Sequence, residues 1–148
     1  MRVYHRRQMD LRRLLLWVVR EFETRYRRGI TVTRLMKLLY MIDLELRRRG
    51  LPTTGVRWVR WYYGPFSREV LSEIDGLIED GLLRREAVVR GDKVIGVLSA
   101  ESGARLEPEV EAVAREVVRE LGGMKFERLL DRVYATFDEG KDLGDEVP

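Results

Sequence analysis

At 148 residues, with a net charge of +3, no cysteine and one histidine, the chain is long enough to bury one core without disulfides or metal. Those counts exclude thiolate chemistry and a disulfide framework, and they leave a zinc site or a histidine acid–base pair without its residues, because His5 stands alone. No apolar run approaches the length of a membrane span and none follows the N-terminal arginines, so a cytoplasmic protein with no membrane partner is expected.

Charge is unevenly placed. Residues 1–60 carry 16 basic and 5 acidic side chains, and residues 61–148 carry 12 and 20. Such a split bears on partners rather than on fold. It admits nucleic acid, an acidic protein, or a homodimer in which the basic half of one copy meets the acidic half of another. The absence of asparagine, with Gln8 the single glutamine, fits a thermophile.

With no internal repeat or low-complexity linker, one domain is expected over residues 10–138, with residues 1–9 and 139–148 as flexible termini. A first helix is predicted from Asp10 to Arg28, capped by Asp10 and closed by Gly29. Leu11, Leu14, Leu15, Val18, Phe22 and Tyr26 recur every three or four residues to form its apolar stripe. Arg12, Arg13, Arg20 and Arg27 lie off that stripe and are expected in solvent. A second helix starts at Thr31 or Thr33 and stops at Gly50. Leu35, Leu38, Leu39, Ile42 and Leu46 share one face, while Met36, Tyr40, Met41 and Leu44 gather on the other. A helix apolar on two sides belongs at the centre of a fold.

Trp58 to Tyr63 is rich in strand formers and is read as one extended segment ended by Gly64-Pro65. Ser67 caps a third helix to about Asp80, with Gly81 closing it. Residues 82–89 and 93–100 form a wing-type hairpin around Arg90-Gly91-Asp92, which could pair with 58–63 as a third strand. Pro108 opens a fourth helix broken at Gly122-Gly123. A fifth runs from Lys125 to Phe137. The fold class is therefore mainly α (α+β): about five helices around a central two-sided helix, with a small antiparallel hairpin or three-stranded sheet.

Several residues stand out as candidate sites. Lys37, set among apolar neighbours, either lays its stem on them and lifts its ammonium to water or lines a groove and pairs with a carboxylate. Trp58, Trp61, Tyr62 and Tyr63 are either core or, beside Arg57, Arg60 and Arg68, a binding hot spot. Helix, Gly29 turn, helix and a later wing also outline a winged helix-turn-helix, for which Arg34, Arg84, Arg85, Arg90 and Lys93 would contact DNA. The apolar character of the second helix and the acidic C-terminal half weigh against it. No Gly-rich phosphate loop, H-E-x-x-H or G-x-S-x-G is present, so neither an enzyme nor a cofactor is expected.

The segments Lys37-Leu38-Leu39-Tyr40-Met41-Ile42-Asp43 and Trp61-Tyr62-Tyr63-Gly64-Pro65 resemble the "KLLYxxD" and "W-x-Y-G-P" motifs of the Panacea antitoxin domain (SocA-like, phage-associated proteins). Gly76-Leu77-Ile78 through Gly81-Leu82-Leu83 is similar to a further stretch of that family. The resemblance implies a non-catalytic protein-binding module acting as an antitoxin on a partner toxin. It also implies Lys37, Tyr40, Asp43, Trp61 and Tyr63 as candidate partner-binding positions, to which the aromatic run adds Trp58. Gly64, Pro65 and Gly81 are expected to be structural.

Overall fold

The computed structural model describes residues 9–137 and 140–148. Residues 1–8, which hold His5 and most of the expected N-terminal tail, lie outside the described residues. Among those described, five helices and two separate two-stranded antiparallel sheets follow one another: α1 (Leu11–Tyr26), α2 (Val32–Arg48), β1 (Val59–Trp61), β2 (Gly64–Phe66), α3 (Arg68–Glu79), β3 (Arg84–Arg90), β4 (Lys93–Ser99), α4 (Pro108–Leu121) and α5 (Phe126–Tyr134). The expected fold class is borne out. No helix among these is long and apolar enough to cross a membrane.

α2 is the central element, packed against α1, α4, α5, β2 and β4. Its first face, Leu35, Leu38, Leu39, Ile42 and Leu46, is fully buried. On the second, Met36, Tyr40 and Leu44 are buried and Met41 half-buried. Each such aliphatic side chain taken from water contributes roughly 1.5–3 kcal/mol, so the two faces tie α2 to every layer around it. Thr31 is its N-cap, accepting from Arg34 N–H at 3.3 Å.

α1 begins as expected, with the Asp10 carboxylate accepting from the Arg12 and Arg13 amides. It ends earlier than expected, at Tyr26, and Arg27 rather than Gly29 adopts the left-handed cap conformation, with φ 58°. Gly29 has another purpose. A Cβ there would come within 2.8 Å of Leu98 O and of the Val97 side chain. Its bareness lets the α1–α2 turn press on β4, where Ile30 and Leu98 exchange backbone hydrogen bonds of 3.0 and 2.7 Å.

Three other expectations are corrected. The helix at the C-terminal end stops at Tyr134 rather than Phe137, where the Thr136 hydroxyl donates to Val133 O. The expected single strand over 58–63 is a hairpin: β1 turns at Tyr62–Tyr63 and returns as β2, with Trp61 opposite Gly64 and Arg60 opposite Pro65. Pro65 thus sits in a strand rather than ending one. It is tolerated because Arg60 turns its N–H and C=O away from β2, so Pro65 faces no donor or acceptor that needs it. The third lane beside β1 is not the β3–β4 hairpin. It is the chain's own segment 144–147, expected as a frayed tail, in which Val147 is buried.

Part of the charge asymmetry is met by ion pairs within the chain. Arg12 bridges α1 to Glu73 and Asp80 at 2.6 and 2.5 Å, and Arg49 reaches Glu116 at 3.0 Å. Arg115 meets Glu21 at 3.3 Å, and Arg20 donates to Ala100 O. Arg12 and Arg20 are therefore bound to neighbours rather than simply solvated. Such exposed pairs are weak in water, enough to orient helices but not to hold them.

Candidate functional site

Lys37, Tyr40 and Asp43 succeed one another every three residues, so they share one flank of α2. That flank looks onto the loop and hairpin of residues 54–66, and each side chain engages part of it.

Asp43 lies at the C-terminal end of the flank, 2% exposed. Its carboxylate accepts from Thr54 N–H at 2.8 Å, from the Thr54 hydroxyl, and from Trp58 Nε1–H at 2.9 Å. The Thr54 hydroxyl oxygen also accepts from Val56 N–H at 3.3 Å. A buried carboxylate requires such donors, because an ion without hydrogen bonds would not stay charged in the interior. Asp43 therefore anchors the loop and orients Trp58 in one step.

Tyr40, one turn earlier, meets the same indole edge-on, with ring centroids 5.7 Å apart and planes at 85°. This is the arrangement that aromatic quadrupoles favour. The Thr136 hydroxyl gives its hydrogen to Val133 O, so the Tyr40 phenol donates to Thr136 Oγ1 at 2.8 Å. Burial pushes the Tyr40 phenol above its ordinary pKa.

Lys37 lies beneath β2, only 3% exposed. A Cβ on Gly64 would meet Lys37 Cε at 3.1 Å and the Leu130 side chain of α5 at 3.6 Å. Gly64 also has φ 96°, a conformation that L side chains avoid. The lysine has no ion pair among the described residues, and burial lowers its amine from 10.5 to about 8. Gly64→Ala is expected to destabilise the fold by about 1–3 kcal/mol, from backbone strain plus the crowded lysine stem. Urea denaturation measures it, and an unchanged midpoint would contradict this packing.

The two sequence motifs are thus one construction. Trp58 faces inward and is buried, while the rest of the aromatic run stands outside: Trp61 is 43% exposed, Tyr62 65% and Tyr63 61%. Trp61 packs on Tyr62 at 5.3 Å and on Phe66 at 6.0 Å. Beside them runs a groove of about 720 Å³ whose walls include Arg57, Trp61, Phe66, Arg68, Leu71 and Asp75. Of the candidate partner-binding positions, Trp61 and Tyr63 are at the surface. Lys37, Tyr40, Asp43 and Trp58 lie behind them in the interior. Pro65 is buried in β2, and Gly81, with φ 76°, ends the turn after α3.

Several of the candidate DNA contacts are engaged within the fold. Arg34 donates to Gly122 O at 3.1 Å and Met124 O at 2.6 Å, satisfying carbonyls at the end of α4, and it lies over the Phe126 ring. Its pKa is lowered by burial first and then by the charges of Arg28 and Arg90. Arg84 pairs with Glu86 and Glu101, and Arg85 with Asp75, at 3.6–3.9 Å. Arg90 and Lys93 stand exposed at the tip of the β3–β4 hairpin. α2, the would-be reading helix, is enclosed from Leu35 to Tyr40.

Thr54 and segment 144–147 escaped the reading of the sequence. A hydroxyl eleven residues past a core carboxylate carries no periodic signal, and a Gly-Lys-Asp-Leu-Gly-Asp run reads as polar tail.

No curated protein and no solved structure matches the chain. A family model does match residues 35–136, a span that begins within α2 and takes in the β1–β2 hairpin and α5. The chain accordingly belongs to the family described as antitoxin SocA-like, Panacea domain.

Proposed function

We propose that this chain is a non-catalytic antitoxin that neutralises a protein toxin by direct complex formation, with the toxin seated on the Trp61-Tyr62-Tyr63 tip and the adjoining groove. One observation carries the reading: three consecutive aromatic rings stand in solvent on a hairpin whose base is fastened from within. Folding alone gives no reason to expose so much aromatic surface, whereas binding hot spots are enriched in Trp, Tyr and Arg. Arg57 and Arg68 in the groove and Arg60 in β1 supply the charged edge. The interior residues Lys37, Tyr40, Asp43 and Trp58 act by positioning: they hold the tip still, so that binding need not freeze it. The family is the second support, since its name is that of an antitoxin.

The test is co-expression with the toxin candidate from the neighbouring reading frame. Growth is expected to be rescued by the wild-type chain and lost when Trp61, Tyr62 and Tyr63 are all changed to alanine. The folded state should survive, with denaturation midpoints shifted little because the rings are exposed. A triple variant that still rescues and co-purifies with the toxin would refute this docking site. A DNA-binding regulator would instead give duplex affinity falling steeply with salt, and a homodimer with no toxin would show self-association and an inert neighbouring product.

A further inference from the structure

The outer edge of β1 is occupied. Arg60 N–H donates to Asp145 O at 2.8 Å, and Arg60 C=O accepts from Gly144 N–H at 2.7 Å. Val147 N–H donates to Trp58 O at 3.0 Å, and Val59 faces Glu146 across an antiparallel bridge. The side-chain hold on this lane rests on one residue. Val147 is 5% exposed, but Leu143 is 44% exposed. Arg57 and Glu146 pair at 3.5 Å while both remain two-thirds exposed, a geometry that salt screens and that stabilises little.

A sheet edge holding an extended segment in this way uses the same physics as strand addition. Backbone hydrogen bonds supply affinity, and pockets for alternate side chains supply selectivity. We propose that the β1 edge is a strand-docking site, filled here by the chain's own residues 144–147, and that an extended segment of a protein partner with an acidic residue followed by a small aliphatic one takes the same lane. The chemistry is that of the present occupant: Val147 fills the buried position and Glu146 faces Arg57. Gly144 also lines the groove beside Trp61 and Phe66, so lane and aromatic tip form one continuous surface. The identity of the incoming segment as part of a toxin rests on the function proposed above, but the exchange itself does not.

A fluorescein-labelled peptide of residues 140–148 is the probe, read by anisotropy against the full chain. In the wild type the tethered segment competes at an effective concentration of order millimolar. Val147→Asp, which unseats it, should therefore bind the peptide at least ~10-fold more tightly. The chain has no cysteine, so Val59→Cys with Glu146→Cys creates a single disulfide across the bridge. Peptide binding should vanish when it is oxidised and return on reduction. A peptide carrying Val147→Asp should not bind. Equal affinities for the wild-type, Val147→Asp and oxidised chains, or no binding by any of them up to millimolar peptide, would overturn the proposal. Should Val147→Asp fail to fold by circular dichroism, the oxidised and reduced forms decide alone: loss on oxidation supports the lane, and no difference refutes it. Failed exchange would leave the aromatic tip untouched as a docking site, whereas loss of rescue in the triple alanine variant is read without the peptide.

Discussion

Asp43→Ala is expected to cost about 2–6 kcal/mol, from about 1–3 for each of the two buried N–H donors it leaves without an acceptor. The substitution strands Thr54 N–H and Trp58 Nε1–H without their acceptor and removes the partner of the Thr54 hydroxyl, all in the interior. Against a total stability of about 5–15 kcal/mol for a domain of this kind, that loss leaves a marginal protein. Asp43→Asn should recover only part of it, because its NH₂ group would face a donor. Trp58→Phe should cost less than Asp43→Ala, since the carboxylate keeps both Thr54 bonds. Guanidinium denaturation of these variants gives the comparison. A midpoint for Asp43→Ala within experimental error of wild type would show that the loop is not held from α2.

Lys37→Met is expected to act in the opposite direction, stabilising the protein at pH 7 by about 1–3 kcal/mol. The stem is buried under Gly64 and its ammonium has no ion pair among the described residues, so an apolar side chain of similar length keeps the packing and removes the cost of burying charge. The pH dependence carries a signature. The amine holds its proton less tightly in the folded state, at about 8, than at its ordinary value of 10.5. Below pH 8 both states are protonated and the cost is fully present. Between about 8 and 10.5 the unfolded chain retains the proton and the folded one releases it, so the free energy of unfolding rises with pH. The rise from this group amounts to about 3 kcal/mol at 1.36 kcal/mol per unit. Other groups titrate in the same range, so the informative quantity is the difference between wild type and Lys37→Met, measured by urea titration from pH 7 to 10.5. That difference should shrink as pH rises, and parallel curves would refute a buried lysine penalty.

If the proposed function holds, Lys37→Met also separates positioning from contact. A lysine that only supports Gly64 can become methionine with rescue intact. One that reaches a toxin carboxylate cannot.

Much of the fold is legible in local patterns. Five helices follow from apolar periodicity and punctuation: Asp10, Thr31 and Ser67 as caps, Pro108 as an opener, and the two-faced run from Leu35 to Leu46 as the centre. The hairpin at 84–99 follows from strand formers around Gly91. These signals work because helix and turn preferences depend on residues three or four apart. Misplaced boundaries fall where a tertiary contact overrides such preferences. Gly29 looks like a helix cap but is a point of close approach to β4, and Pro65 looks like the end of a strand but sits in one whose partner turns its polar groups elsewhere.

The site is legible as residues but not as an arrangement. Lys37, Tyr40, Asp43, Trp61 and Tyr63 can be picked from their motifs, yet nothing in their spacing says that Trp58 turns inward while the next aromatics turn out. That division comes from Asp43, whose carboxylate claims the Trp58 indole, and from a two-residue turn that lifts Tyr62 and Tyr63 off the core. Likewise, the mate of Arg60 lies more than eighty residues away in a polar stretch whose composition resembles a loose end. Helices, caps and the central spine were written into neighbouring residues, where propensity and periodicity act. Which side chains meet, which rings are left bare and which strand edge is covered depended on contacts across the chain, because burial and hydrogen-bond satisfaction are properties of the assembled fold and of no single segment.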